Sequence, residues 1–246
     1  MDVGRFFSIK DFFNYYVAGA IWLLDLALAL LWFSDPSSAA ASLDEFKKQI
    51  NSLGPLASGV LIVVLPYVTG FTLNPFCNCV SRRLCRIKRD PMNWVTDYGE
   101  ESSKRPAGKR LVKPAVREVS KLASETFDYK ISDENQHLWF FQVRAYVINK
   151  GGAASDLATR ACDLMNFAES LLLPVPLLSA ILIWGGLTQL SASVFTKVLL
   201  LIAGLVVSFI ALAKRYLRLR EYWVKHTYRA FLVMKAHEQQ NEQGSD

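Results

Sequence analysis

Asp25 is the fifth residue of IWLLDLALALLWF, residues 21–33, a stretch otherwise made of hydrocarbon and indole. If oil surrounds this stretch, a lipid-facing carboxylate at its level costs at least roughly 2.5–3.5 kcal/mol, so the acid must face protein or water. Three kinds of chemistry fit it: a hydrogen-bonded structural acid, a carboxylate lining a pore or wet cavity, or a proton relay. At 100° per residue, Asn14, Ala18, Asp25, Ala29 and Trp32 fall within about 40° of one line. Asn14, Asp25 and Trp32 therefore form the candidate intramembrane polar face, while Leu23, Leu30, Ala20 and Ala27 lie opposite and suit lipid. A relay usually uses a second ionisable group. Lys197, at the end of its own apolar run, can snorkel to the interface instead.

The other residue types able to do chemistry are sparse or poorly spaced. Cys77-x-Cys79 with Cys85 matches no zinc spacing, and the nearest histidine is His137. These cysteines read as small apolar residues at a span end, so no metal site and no cofactor is expected. Nucleotide, metalloprotease, hydrolase and dinucleotide motifs are all missing. With no paired acids, and no serine–histidine pair, in the apolar runs, no catalytic residues are assigned and the chain is not expected to be an enzyme. Arg82, Arg83, Arg86, Lys88 and Arg89 put five bases into eight residues. Lys214, Arg215, Arg218 and Arg220 form a second basic group. Beside a span, such clusters bind anionic headgroups at roughly 1 kcal/mol per base; with Tyr and Trp nearby they could also hold a nucleotide or single-stranded nucleic acid.

The elements that must position these residues follow from hydropathy. Hydrophobic residues make up 52% of the 246, and they are clumped. Four runs can each supply the roughly 20 apolar residues that a bilayer crossing needs. They lie at about 12–33, 54–73, 170–187 and 194–213. The fold class expected is an all-α integral membrane protein with four transmembrane helices. The N-terminal hairpin occupies 1–73, a basic helical cytoplasmic region 74–168, the C-terminal hairpin 169–213, and a cytoplasmic helix and polar tail 214–246. The bases flank the ends at 82–89 and 214–220, which places both termini and the middle region in the cytoplasm. A cell membrane is the expected location. The net charge of +6 needs no nucleic-acid partner, because this topology already requires basic loops.

Finer features follow from local signals. Asn74-Pro75 is expected to end the second span, and Pro66 to kink it. A short amphipathic helix is expected over Ser42–Asn51. In the middle region the periodicity predicts a helix from about 111, with Pro114 in its first turn. Another helix is expected over His137–Asn149, stopping at Gly151-Gly152. Ser155–Leu187 reads as one continuous helix bent at Pro174 and Pro176, and Val194–Met234 as another, with a frayed tail from His237. Gly204-x-x-x-Ser208 followed by Ala211 is the candidate helix-packing face. About 60 ordered cytoplasmic residues make a thin core, which points to a homo-oligomer.

This layout, with its few spans, modest helical cytoplasmic part and no catalytic motif, resembles the small multi-pass membrane subunits of bacterial antiphage-defence systems of the Kiwa and Hailong types. The resemblance implies a bacterial inner (cell) membrane as the location and assembly into an oligomer; some members of that class permeabilise the inner membrane when a cytoplasmic signal changes. The expected function is thus a homo-oligomeric inner-membrane protein forming or gating a pore in response to a cytoplasmic ligand or partner. The alternative is a non-conducting scaffold that recruits a cytoplasmic protein. Expected partners are the lipid bilayer, further copies of the chain, and a cytoplasmic protein or nucleotide or nucleic-acid ligand.

Overall fold

The computed structural model describes residues 9–33, 41, 44–45, 47–49, 52, 54–87, 113–127, 136–188 and 193–243. These residues are helical and contain no strand. The helices are α1 (Ile9–Phe33), α2 (Pro55–Ile87), α3 (Lys113–Phe127), α4 (Gln136–Lys150), α5 (Ala153–Ser170), α6 (Pro174–Thr188) and α7 (Val194–Gln243). Three stretches are long and apolar enough to cross a membrane: α2, the α5–α6 stretch Ala153–Leu187, and α7. A shorter apolar helix covers Asn14–Leu30. The chain divides into two compact units. The first comprises Met1–Leu84 and Asn166–Tyr216, the second Cys85–Met165 and Leu217–Asp246.

In the first unit, α2 does not stop at Asn74-Pro75 but runs on to Ile87. A proline inside a helix removes one hydrogen bond and clashes with the preceding turn, at a cost of about 3 kcal/mol. Burial outweighs that here. Pro66, Gly70, Cys77, Ser81 and Cys85 recur at spacings of four and seven and form the buried stripe of α2. Gly19 of α1 and Gly70 of α2 let the two backbones touch. A Cβ on Gly19 would strike the Pro66 carbonyl oxygen, and one on Gly70 would strike the Tyr15 carbonyl oxygen. Tyr15 completes the crossing with edge-on contacts to Tyr67 and Phe71, at 5.8 and 5.5 Å between ring centroids.

The expected continuous helix over Ser155–Leu187 is broken. Residues 171–173 form a turn between α5 and α6. Pro174 and Pro176 have no N–H, so the carbonyls of Ser170 and Leu172 lose their helical donors. The chain tightens locally, with Leu172 N–H donating to the Glu169 carbonyl at 3.1 Å, and resumes a regular ladder with Leu177 N–H to the Leu173 carbonyl at 3.1 Å. The helix α6 then packs against α1. At the start of α7, Ser193 is the cap: its hydroxyl oxygen accepts from the Thr196 N–H at 3.3 Å. Of the apolar window of α7, none is buried, against 44% for the α5–α6 stretch. Within one chain, most of the apolar stretch of α7 is thus exposed, with Gly204 half-buried beside Ile183 of α6.

The second unit is held by aromatic packing. Phe140 of α4 meets Trp223 and Tyr228 of α7 edge-on, at 4.8 and 5.8 Å. Phe127 of α3 contacts Trp139, Tyr146 and Phe231. Phe140, Val143, Val147 and Phe231 are completely or almost completely buried, and a side chain of this size contributes roughly 1.5–3 kcal/mol when removed from water. The α4–α5 connection is two residues, Gly151 and Gly152, with φ of 69° and 88°. Only glycine adopts such angles without strain, which is why α4 ends there. The tail expected to fray from His237 is instead helical to Gln243, because Glu238 is tied to α4.

Candidate functional site

Asp25 is 2% exposed, and neither of its carboxylate oxygens has a hydrogen-bond partner among the described residues. Buried polar groups are almost always paired, and an unpaired one calls for an explanation. Its place on α1 gives the context. Ala18 on the same face is buried, whereas Leu24, Leu26 and Leu30 on other faces are exposed. The carboxyl is thus enclosed within the helices of the first unit rather than displayed on their outer surface.

Asn14 and Asp25 share a face but not a neighbourhood. Eleven residues of helix separate them, roughly 16 Å at 1.5 Å per residue. Asn14 is half-buried at a polar node where three helices meet. There the Ser170 hydroxyl donates to its own Phe167 carbonyl at 2.8 Å and lies 3.4 Å from the Asn14 carbonyl. The Ser170 carbonyl, released by Pro174, receives the Cys77 thiol of α2 at 3.5 Å. Ser81 donates to the Glu169 carboxylate, and its hydroxyl is 3.0 Å from the Asn78 carbonyl. Trp32 belongs to α1, and its side chain lies outside the described residues.

Glu169, Ser81, Ser170 and the Gly19–Gly70 crossing are absent from the sequence expectations, and Cys77, expected only as a small apolar residue at a span end, also donates to the Ser170 carbonyl. Two of them had a readable signal. Pro174 marks the Ser170 carbonyl four residues earlier as an orphan needing a donor. The stripe Gly70, Cys77, Ser81 follows helical spacing, but only if α2 is allowed to continue through Pro75.

The remaining predicted residues are dispersed. Gly204 is half-buried against α6, and a Cβ there would meet the Ile183 Cδ1. The Ser208 hydroxyl turns back to the Leu205 carbonyl at 3.1 Å, and Ala211 is exposed. On α2, Arg82, Arg83 and Arg86 are exposed, while Lys88 and Arg89 lie outside the described residues. On α7, Lys214, Arg215 and Arg218 are exposed and Arg220 is half-buried. Cys79 is exposed and Cys77, Cys85 and Cys162 are buried, and none of the four is in a disulfide. Among the described residues no three His, Cys, Asp or Glu side chains converge as a metal site would require.

The second unit has one concentrated electrostatic feature. Glu238 accepts from Tyr146 Oη at 2.5 Å, Lys150 Nζ at 2.6 Å and Lys235 Nζ at 2.8 Å. The hydrogen bonds from Lys150, Lys235 and Tyr146 hold its carboxyl down at about 2. Both ammonium groups also approach the Tyr146 ring, at 5.7 and 4.8 Å. Arg144 bridges inward, with its guanidinium 5.6 Å from the Trp223 ring centroid and Nη2 3.8 Å from Cys162 Sγ. Burial, and then the nearby Arg229, lower His226 below the usual histidine range.

Comparison with protein-family models, with curated proteins and with solved structures finds no match.

Proposed function

We propose that the chain is a homo-oligomeric multi-pass protein of a bacterial inner membrane that forms or gates a pore when a cytoplasmic ligand or partner binds. Four spans cross the bilayer, in α1, the first part of α2, α6 with its preceding turn, and the first part of α7. The termini and the second unit are cytoplasmic. The observation that carries this reading is Asp25: a carboxylate enclosed among apolar helices with no hydrogen-bond partner among the described residues. An intramembrane ionisable residue is expensive and most often functional. The exposed apolar side chains of α7, such as Leu199, Ile202 and Val207, are left for lipid and for further copies of the chain. Because α7 is one uninterrupted helix from Val194 to Gln243, a shift imposed on its aromatic second half travels along a continuous backbone to its apolar first half. Ligand candidates are phosphate-rich, matched by the exposed bases on α2 and α7. The resemblance in layout supports a role as an antiphage-defence effector; no catalytic step is assigned.

A non-conducting scaffold is the second reading. It is favoured by Phe141, Ile148, Leu157 and Leu164, large apolar side chains exposed on α4 and α5. Purified protein in liposomes loaded with K⁺ and Cl⁻ separates the two, with ATP or a short single-stranded oligonucleotide added outside and inside. Ion release on addition supports the pore. No release under any condition, together with one soluble protein captured stoichiometrically and no leak on overexpression, supports the scaffold.

A further inference from the structure

Beside a pore that passes K⁺ and Cl⁻, Asp25 points to a separate path for a different ion. Its carboxyl is enclosed inside one copy of the chain, so a path that uses it runs within each protomer rather than along a seam between copies. The titratable groups on the helices of its unit narrow the ion. The packed neighbour α6 carries no titratable side chain from Pro174 to Thr188, and its hydroxyls are only Ser179 and Thr188. Ser179 donates to its own helix at the Val175 carbonyl, 2.9 Å away. From Pro55 along α2, the first titratable group is Tyr67, which contacts Tyr15; beyond it Cys77 is occupied by the Ser170 carbonyl. On α7 the apolar run holds only Lys197, three residues from the start of the helix. A metal cation needs a shell of roughly six oxygens, and these neighbours do not assemble one. A proton needs only the carboxylate.

A second acid stands on the same unit. Glu169 is half-buried and bonded to Ser81, with Arg82 and Arg83 exposed next to Ser81 on α2. The Asn14–Ser170 approach puts the Glu169 level at the start of α1, so Asp25 lies roughly 16 Å deeper along that helix. That depth is about half of a hydrocarbon core of roughly 30 Å.

We propose that the first unit holds a proton-transfer route inside each copy of the chain, with Glu169 the acid at its entrance and Asp25 the acid in its apolar interior. The Glu169 carboxylate takes a proton from hydronium, leaving water, and passes it to transient water on the inner side as hydronium. Asp25 accepts it and releases it to water beyond; each transfer breaks one O–H bond and forms another, and nothing is consumed. The proposal rests on the pore reading for its direction across the membrane, but not for the site itself.

The test reads the site and the leak separately. Proteoliposomes are treated with dicyclohexylcarbodiimide, an apolar reagent that adds to protonated carboxyls, and peptides are weighed by mass spectrometry. Asp25 should be modified, at least about fivefold faster near pH 6 than near pH 8, and undiminished by Na⁺. Asp25→Glu should still be modified, and Asp25→Asn should not be. With an imposed membrane potential, internal acidification should fall about tenfold in both Asp25→Asn and Glu169→Gln, while both retain wild-type helicity and a Cys77 inert to maleimide. Absent or pH-independent modification overturns the proposal, as does protection by Na⁺ or unchanged acidification in the variants. K⁺ and Cl⁻ leak persisting without pH-dependent modification leaves the pore standing and removes the proton site. Modification and acidification without ion leak keep the site and remove the pore.

Discussion

Glu238→Gln tests the packing of the second unit most directly. The substitution keeps the size of the side chain and one acceptor oxygen but deletes the charge that Lys150, Lys235 and Tyr146 converge on. The carboxyl is held at about 2, against its ordinary 4.5, which corresponds to at most about 3 kcal/mol of preference for the charged form. The Glu238 side chain is 30% exposed and that of Lys150 53%, so solvent screening brings the net value to about 1 kcal/mol. That is an increase of about fivefold in local opening. Native-state hydrogen exchange at neutral pH should show it in the last turns of α7 and at the end of α4, with the centre of α4 unchanged. The sign with pH follows from the depressed carboxyl. Its contribution is complete above about 4.5 and is lost as pH falls toward about 2. The wild-type protein should therefore approach the variant in acid, after correction for intrinsic exchange. Equal protection in the two proteins at neutral pH would refute the claim that this carboxylate holds the end of α7 to α4.

Two further outcomes follow from the first unit. Gly19→Val places a methyl-bearing carbon on the Pro66 carbonyl and should lower stability by about 3 kcal/mol or more, seen as a fall in the thermal midpoint in detergent, while Gly59→Ala, which meets nothing within 4 Å, should be close to neutral. In detergent micelles, N-ethylmaleimide should modify exposed Cys79 readily and leave buried Cys77 unmodified until the protein is denatured; equal rates would contradict the packing of α2.

What the sequence disclosed, and what it hid, divides along physical lines. Long apolar runs and glycine pairs act locally, so α4 ending at Gly151-Gly152 and an α7 that continues past its apolar run were legible. Prolines misled in both directions. Pro75 reads as a terminator, yet α2 passes it because Cys77, Ser81 and Cys85 are buried beyond it, and burial of that stripe is a tertiary effect. Pro174 and Pro176 read as bends in one helix, yet two missing donors two residues apart open a turn at 171–173. The tail was expected to fray because His237 onward is polar. Its order comes from Lys150 and Tyr146, some ninety residues away, which no local pattern shows. Asp25 was legible as a problem, since a lone acid in an apolar run stands out. Glu169 was not, because it falls just before the run and its partner Ser81 lies 88 positions earlier. Trp32, Lys88 and Arg89 belong to expectations whose side chains lie outside the described residues.

The node around Ser170 shows how the break between α5 and α6 is held. The break frees two carbonyls, and an unsatisfied buried carbonyl costs about 1–3 kcal/mol. The donor that reaches the Ser170 carbonyl is a thiol at 3.5 Å, among the weakest donors a protein has. The Ser170 hydroxyl spends its stronger bond on its own turn and only approaches Asn14 at 3.4 Å. The contacts of Ser170 with α1 and α2 are therefore weak ones, while α2 and α1 themselves meet through glycines with backbone touching backbone. The firmer tie to the break is one residue earlier, where Ser81 of α2 donates to the Glu169 carboxylate, a charge-assisted bond roughly twice as strong as a neutral one. A hydroxyl at position 77 would be a better donor to the Ser170 carbonyl than the thiol is, so the present residue does not maximise the stability of the turn.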